Sequence, residues 1–107
     1  MDTKQDSIEI RKWPDEQPPD EAAIRKILAD EGLKPYSWSN SPGDVYSAHS
    51  HTFHKVIYVV KGSITFGLPD TGDRILLNTG DRLDLPAGVS HNAVVGNDGV
   101  VCLEAHR

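Results

Sequence analysis

Three histidines are the residues of this sequence best suited to chemistry: His49 and His51, separated by one residue, and His91 further along the chain. Side chains at positions i and i+2 of a strand leave the same face, so the imidazoles of His49 and His51 are expected to point toward one spot. Neutral imidazole nitrogens bind Zn, Fe, Cu and Ni, and three of them leave coordination positions open for water or substrate. The pattern therefore predicts a divalent-metal site.

The spacing around these histidines forms two longer motifs. They read Gly43-x5-His49-x-His51-x3-Lys55-x6-Gly62 and Gly80-x5-Pro86-x-Gly88-x2-His91. They resemble the paired motifs of the cupin superfamily, G-x5-H-x-H-x3-E-x6-G and G-x5-P-x-G-x2-H-x3-N. The resemblance covers roughly residues 36–106, and its many fixed offsets make it far more specific than an isolated H-x-H. It implies a small single-domain protein of the cupin type-2 kind, with the metal ligated by His49, His51 and His91 inside a barrel.

Two positions depart from the cupin pattern: Lys55 replaces the acidic metal ligand, and Val95 replaces the closing Asn. A protonated ammonium is repelled by a divalent ion. Three arrangements therefore remain open. Lys55 could turn away from the metal and pair with a carboxylate such as Glu104 or Asp84. It could lose its proton, which burial and a nearby positive charge favour. The site could also hold no metal and use Lys55 to bind an anionic ligand.

Two further histidines have less defined roles. His54 lies three residues after His51, so a regular strand would send it to the opposite face. A bend at residues 52–53 would instead turn His54 inward as a fourth ligand. His106 stands next to the last residue of the sequence, where fraying is expected, so we assign it no role.

Length and charge exclude several classes of protein. A chain of 107 residues is expected to form one domain with a modest core, which a homodimer would stabilise further. The formal charge of −5, without a basic stripe, argues against nucleic acid as a partner. No apolar run approaches the roughly 18 residues of a membrane span, which argues against a membrane partner. The first residues do not resemble a signal peptide, so we expect a cytoplasmic protein.

The single cysteine is expected to be structural. Cys102 has no second cysteine to pair with, which agrees with a reducing compartment. It lies in the apolar run of residues 100–103. Because free cysteine is among the most buried residue types, we predict that Cys102 packs in the core.

The sequence divides into an N-terminal arm over residues 1–33 and a barrel over residues 34–107. Residues 1–7 are polar, and the alternating pattern of residues 8–13 predicts a short strand. A proline-rich linker follows.

A helix is predicted over residues 20–31, with Asp20 as its N-cap and Gly32 as its stop signal. Its apolar residues form one narrow stripe, which we expect to lie across the barrel or at a subunit contact.

The barrel segment carries repeated strand and turn signals, which predict an all-β sandwich or barrel even without the family resemblance. The resemblance narrows this to the cupin double-stranded β-helix, a jelly-roll barrel, here with one short N-terminal α-helix. Residues 56–60 are all apolar, so this strand should be covered on both faces. Strands are expected over residues 34–39, 45–51, 55–61, 63–67, 74–77, 83–85, 93–95 and 100–105.

Two functions are compatible with these observations. In the first, the protein is a metal-dependent enzyme of the dioxygenase or isomerase type, in which Fe, Zn, Mn or Ni binds a small organic substrate. Lys55 is then the candidate catalytic residue, as it could steer a carboxylate or donate a proton. In the second, the barrel is a non-catalytic module that binds a small molecule or anion. A fold alone does not identify a reaction.

Overall fold

The computed structural model describes residues 8–107, and the polar segment predicted for residues 1–7 lies outside this range. The described chain forms one helix and seven strands, which confirms the all-β fold class. In chain order these are β1 (Glu9–Arg11), α1 (Glu21–Asp30), β2 (Tyr36–Asn40), β3 (Val45–His49), β4 (Lys55–Leu68), β5 (Asp73–Asn78), β6 (Arg82–Leu85) and β7 (His91–His106). Within residues 8–107, no helix has the length and apolar character needed to cross a membrane.

The strands form a single antiparallel sheet that curls around one core. Its main path runs β1-β6-β4-β7-β2, with β3 added to β7 and β5 added to β4. The alternation of strand side chains explains the fully apolar run in β4. Ile57 and Val59 point into the main core, whereas Val56 and Tyr58 belong to a second cluster on the other face.

Helix α1 covers that second face, as expected from its apolar stripe. The Asp20 side chain accepts a hydrogen bond from the Ala23 N–H at 2.8 Å, which caps the first turn. Ile24 and Leu28 are fully buried against the outer face of β4 and β7. The arm also contributes β1, which pairs with β6. Both arm elements therefore rest on the barrel sheet.

The tight packing under α1 gives a first prediction. Replacing Ile24 by Val removes one buried methylene and should lower the free energy of unfolding by about 0.5–1.5 kcal/mol. The same change at Ile10, which is 45% exposed on β1, should have almost no effect. Urea denaturation of both variants measures the difference, and equal effects would mean that α1 does not pack on the sheet in solution.

A buried ion cluster joins the C-terminal end of α1 to the sheet. Arg82 on β6 is fully buried, and two of its nitrogens bind the Asp84 carboxylate at 2.6 and 3.1 Å. Two nitrogens also bind the Glu31 carboxylate at 2.6 and 2.9 Å, and Arg107 reaches Glu31 at 2.8 Å. The Arg82 guanidinium lies 5.4 Å from the centre of the Tyr58 ring. Arg82 thus bridges two carboxylates from different parts of the chain, and Arg107 supplies a second positive charge to Glu31.

Two pairs of strands that were predicted to be separate each form one continuous strand. Residues 55–61 and 63–67 form one strand, β4, and residues 93–95 and 100–105 belong to one strand, β7. β4 and β7 pair with each other along most of their length, with register shifts around Gly62. Local turn signals at the glycines therefore produce irregularities within the strands, because the long-range pairing continues across them.

Candidate metal centre

The three predicted ligands come together at one end of the barrel. His49 on β3 lies directly opposite His91 on β7 in the antiparallel ladder, and the centres of their rings are 4.5 Å apart. The His51 ring lies 4.7 Å from His49 and 5.4 Å from His91. One nitrogen from each ring lies within 4.8 Å of the other two. Small side-chain adjustments would bring such nitrogens to the bonding distance of about 2.0–2.1 Å from one ion.

The loop after β3 positions His51. β3 ends at His49, two residues earlier than predicted, and its pairing with β7 shifts register between Tyr46 and His49. The His51 carbonyl accepts a hydrogen bond of 2.8 Å from the Gly88 N–H, which connects the two motifs. Gly88 has a φ of 84°, a conformation that favours glycine. The turn before β7 therefore holds the His51 backbone in position and also places His91 at the start of β7.

Backbone carbonyl groups set the tautomers of two ligands. The Nδ1 atom of His49 donates to the Ser47 carbonyl at 2.7 Å, and that of His91 donates to the Val89 carbonyl at 3.0 Å. A carbonyl only accepts, so Nδ1 carries the proton and Nε2 keeps a free lone pair. Metal-bound histidines use the same arrangement, in which the outer nitrogen is held by a carbonyl or carboxylate.

The neutral form is favoured for two of the three imidazoles, those of His51 and His91. Burial lowers the pKa of His51, and the nearby Lys55 lowers it further. Burial likewise lowers the pKa of His91, against the opposing effect of its bond to Val89. The Nε2 atom of His51 is buried without a hydrogen-bond partner within residues 8–107. Three converging imidazole nitrogens, one of them buried without a partner, fit a divalent transition-metal ion.

Lys55 turns to a carboxylate, as in the first of the three arrangements. Its Nζ atom lies 3.4 Å from Glu104 Oε2, and the two side chains are only 14% and 4% exposed. Lys55 carries a positive charge where the cupin motif has an acidic ligand. Glu104 balances that charge inside the barrel. Both side chains line the same cavity as His49 and His91.

Glu104 is the centre of a hydrogen-bond network that sequence reasoning had treated only as a partner of Lys55. Tyr36 Oη donates to Glu104 Oε2 at 2.7 Å, and Trp38 Nε1 donates to Oε1 at 3.0 Å. His106 Nε2 lies 2.7 Å from Oε2. Burial alone would raise the pKa of Glu104, but the bonds from Tyr36 and His106 and the charge of Lys55 hold it below its usual value. Glu104 is thus an anion at neutral pH.

The expectation that His106 would be frayed is wrong, because it is the last residue of β7 and its ring packs edge-on to Tyr36 at 5.7 Å. The alternation of β7 could have revealed this network. Cys102 was predicted to be in the core, and Glu104 follows two residues later on the same face. Cys102 is indeed fully buried, and burial raises the pKa of its thiol to about 12, with a further contribution from Glu104. That thiol is inert.

His54 lies outside the histidine cluster. Residues 52 and 53 do bend, but the His54 Nε2 atom faces Asp84 Oδ2 at 3.6 Å. The group of potential ligands found within residues 8–107 consists of His49, His51 and His91. The arrangement with His54 as a fourth ligand is therefore not the one seen here.

A cavity of about 260 Å³ opens beside the cluster. Apolar and aromatic side chains form most of its wall, namely Trp38, Ile57, Ile64, Phe66 and Ala93, together with the two tyrosine side chains of Tyr36 and Tyr46. Its polar groups are His49, His91, Lys55 and Glu104. An apolar pocket with a few convergent polar groups is typical of a small-molecule site.

Comparison with curated proteins gives a partial match, and no family model matches the chain. Acireductone dioxygenase from Danio rerio is 38% identical over 53 residues, which cover 47% of this chain and 29% of the dioxygenase. The chain thus matches less than a third of the length of that relative.

Solved structures share the fold over more of the chain. A DUF861 family protein from Thermotoga maritima has a TM-score of 0.68 at 15% identity, over 94% of this chain and 100% of that one. An RmlC-like cupin from Shewanella frigidimarina has a TM-score of 0.60 at 26% identity, over 69% of this chain and 64% of that one. A DMSP lyase has a TM-score of 0.63 at 25% identity, over 70% of this chain and 38% of the lyase.

The likenesses therefore agree with the two sequence motifs and with the curled antiparallel sheet that carries the histidines. The chain therefore has the cupin fold, and the similarities support its assignment to the cupin superfamily.

Proposed function

We propose that this cupin binds one divalent transition-metal ion through His49, His51 and His91 and acts as an enzyme of the oxygenase or isomerase type on a small organic substrate. The observation that carries the proposal is the state of the three imidazoles. Two have Nδ1 tied to backbone carbonyl groups, and the third has a buried Nε2 without a partner. A metal cation would accept lone pairs from imidazole nitrogens held in this way.

The cavity provides what a reaction at such an ion needs from the protein. When bound, Zn, Mn or Ni would supply a Lewis acid, and Fe would supply reactivity toward O2. Trp38 and Phe66 are wall residues that limit the access of water to the polar groups. The Lys55 ammonium, held by Glu104, offers a donor to an anionic or carbonyl group of the substrate.

The comparisons support an enzyme without specifying its reaction. One partial relative is named as a dioxygenase, and one structural neighbour is named as a lyase. Both contain much sequence that this chain does not match, so their substrates are not assigned to it. The non-catalytic alternative, an anion-binding module without metal, is less well supported because it gives the three converging histidines no role.

We also expect a cytoplasmic homodimer that binds neither nucleic acid nor membranes. Val45 and Val94 are cross-strand neighbours on the outer face of the sheet, and they are 73% and 40% exposed. An apolar pair at the surface is suited to a subunit contact. Sedimentation at micromolar concentration tests this, and a monomer would exclude the dimer.

Metal analysis tests the proposed site. Wild-type protein loaded separately with Fe(II), Zn, Mn or Ni and then desalted should retain about one equivalent of at least one ion per chain, since the three histidines form a single site. His51→Ala should lose this metal, whereas the control His54→Ala should keep it. Retention of the same amount by His51→Ala, or no retention by the wild type, would contradict the proposal.

Turnover is tested with the loaded protein. Oxygen consumption or product formation with small thiols, dicarbonyls or phenols, lost in His51→Ala, would identify an enzyme. Ligand-dependent thermal stabilisation without product across this panel would favour the binding module instead.

A further inference from the structure

The cavity contains one ammonium group whose hydrogen-bonding capacity is largely unused. Lys55 Nζ contacts Glu104 Oε2 at 3.4 Å, whereas the same oxygen is 2.7 Å from Tyr36 Oη and from His106 Nε2. An ammonium has three N–H donors. Within the described part of the chain, no other acceptor bonds to Lys55 Nζ. The Lys55 side chain is 14% exposed and lines the cavity, so these donors are open to a ligand that enters it.

Glu104 holds the ammonium by its charge and already accepts three other hydrogen bonds. Its Oε1 atom accepts from Trp38 and its Oε2 atom from Tyr36 and His106. The carboxylate is also the less accessible member of the pair, at 4% against 14% for Lys55. Both side chains line the cavity, and the ammonium is the more accessible of the two, so its free donors are cationic groups open to a ligand.

The dimensions and walls of the cavity restrict the rest of the ligand. A volume of about 260 Å³ corresponds to about nine water molecules, at about 30 Å³ each. Trp38, Ile57, Ile64 and Phe66 present apolar surface to this space. Such walls favour a compact organic body over a fully hydrated inorganic anion, which would lose its water without replacement bonds.

The geometry points to Lys55 as the anion anchor of the site, and to a small organic carboxylate with an apolar body as the ligand class. The carboxylate would lie in the same cavity as His49 and His91. This ligand is a substrate only if the proposed function holds. The side chains of Lys55 and Glu104 carry opposite charges. A divalent ion would therefore make the cavity cationic, which complements the same anion.

Binding of matched ligands tests the anchor. Benzoate and its neutral analogue benzamide are titrated calorimetrically into wild-type protein, both loaded with Zn and after treatment with EDTA. We expect benzoate to bind at least tenfold more tightly than benzamide in both states, and more tightly than inorganic phosphate. Equal affinities for benzoate and benzamide would overturn the anchor, and stronger binding of phosphate would overturn the organic ligand class.

Variants on β4 assign the preference to one side chain. Lys55→Met should remove the preference for benzoate, and the matched control Lys61→Met, at an exposed lysine of the same strand, should keep it. Lys55→Gln provides a second neutral variant if the first does not fold. A preference that survives in a folded Lys55 variant would overturn the inference.

The two proposals fail in different ways. No metal retention together with a Lys55-dependent preference for benzoate in the EDTA-treated protein would refute the metal site and support the anchor. Metal retention by the three histidines without any preference for benzoate would support the metal site and refute the anchor.

Discussion

Replacing Arg82 by Leu is expected to lower the free energy of unfolding by about 3–5 kcal/mol. The guanidinium is fully buried and binds both oxygens of Asp84 and both oxygens of Glu31. Its loss leaves Asp84, which is 3% exposed, without its counter-charge. Removing one partner of a buried pair is far more damaging than the net strength of the pair suggests, because the remaining charge stays desolvated. Urea denaturation at pH 7 measures the loss.

A surface arginine provides the control. Arg25 pairs with Glu21 one turn away on α1, and both side chains are close to half exposed. Arg25→Leu should change stability by less than about 1 kcal/mol, because exposed ion pairs contribute little. Similar losses in the two variants would mean that the Arg82 cluster is not buried in solution.

The same cluster gives the wild type an acid-dependent stability. Bonds from Arg82 hold the pKa of Glu31 below its usual value. Burial alone would raise the pKa of Asp84, but the bonds and charge of Arg82 hold it low as well. A carboxyl with a depressed folded pKa stabilises the fold above its unfolded pKa of about 4, and this contribution is lost as the pH falls through the folded pKa. The difference in stability between wild type and Arg82→Leu should therefore shrink below about pH 4.

The second large effect is expected at Lys55, where Lys55→Glu should bind metal at least tenfold more tightly. The change removes a cation beside the three histidines and adds an anion, which restores the acidic ligand of the cupin motif. Without metal, the new carboxylate faces Glu104, so the metal-free variant should be less stable than the wild type. Competition against a chelator measures affinity, and thermal unfolding with and without metal measures the opposing effect on stability.

Lys61→Glu is the matched control, since it makes the same charge change on the exposed side of β4. It should leave metal affinity within a few-fold of the wild type. Weaker metal retention by Lys55→Glu would show that position 55 does not face the metal site.

Sequence reasoning identified the parts of this molecule that depend on local pattern. The spacing of His49, His51 and His91 placed three imidazoles in one cluster, and the apolar stripe of α1 placed the helix on the sheet. The helix stripe is a consequence of side-chain periodicity, which can be read from neighbouring residues. The convergence of His91 with the other two histidines was implied by the cupin resemblance.

What the sequence did not reveal depends on long-range register. His106 meets Glu104 and Tyr36 because β2 and β7 pair in one particular alignment, with Tyr36 opposite Glu104. The Arg82 cluster likewise requires α1 to end beside β6, which no local pattern specifies. The polar network behind Lys55 is thus a product of strand pairing, although Glu104 had been named as one of two candidate partners for it.

The central claim, that three imidazoles converge on one ion, is tested most directly by a crystal structure of Zn-loaded protein with anomalous diffraction data. We expect one ion within about 2.0–2.1 Å of the Nε2 atoms of His49, His51 and His91, and no bond from the ion to Lys55 or His54. An ion bound elsewhere, or a cluster that stays empty while its rings point apart at saturating Zn, would contradict it.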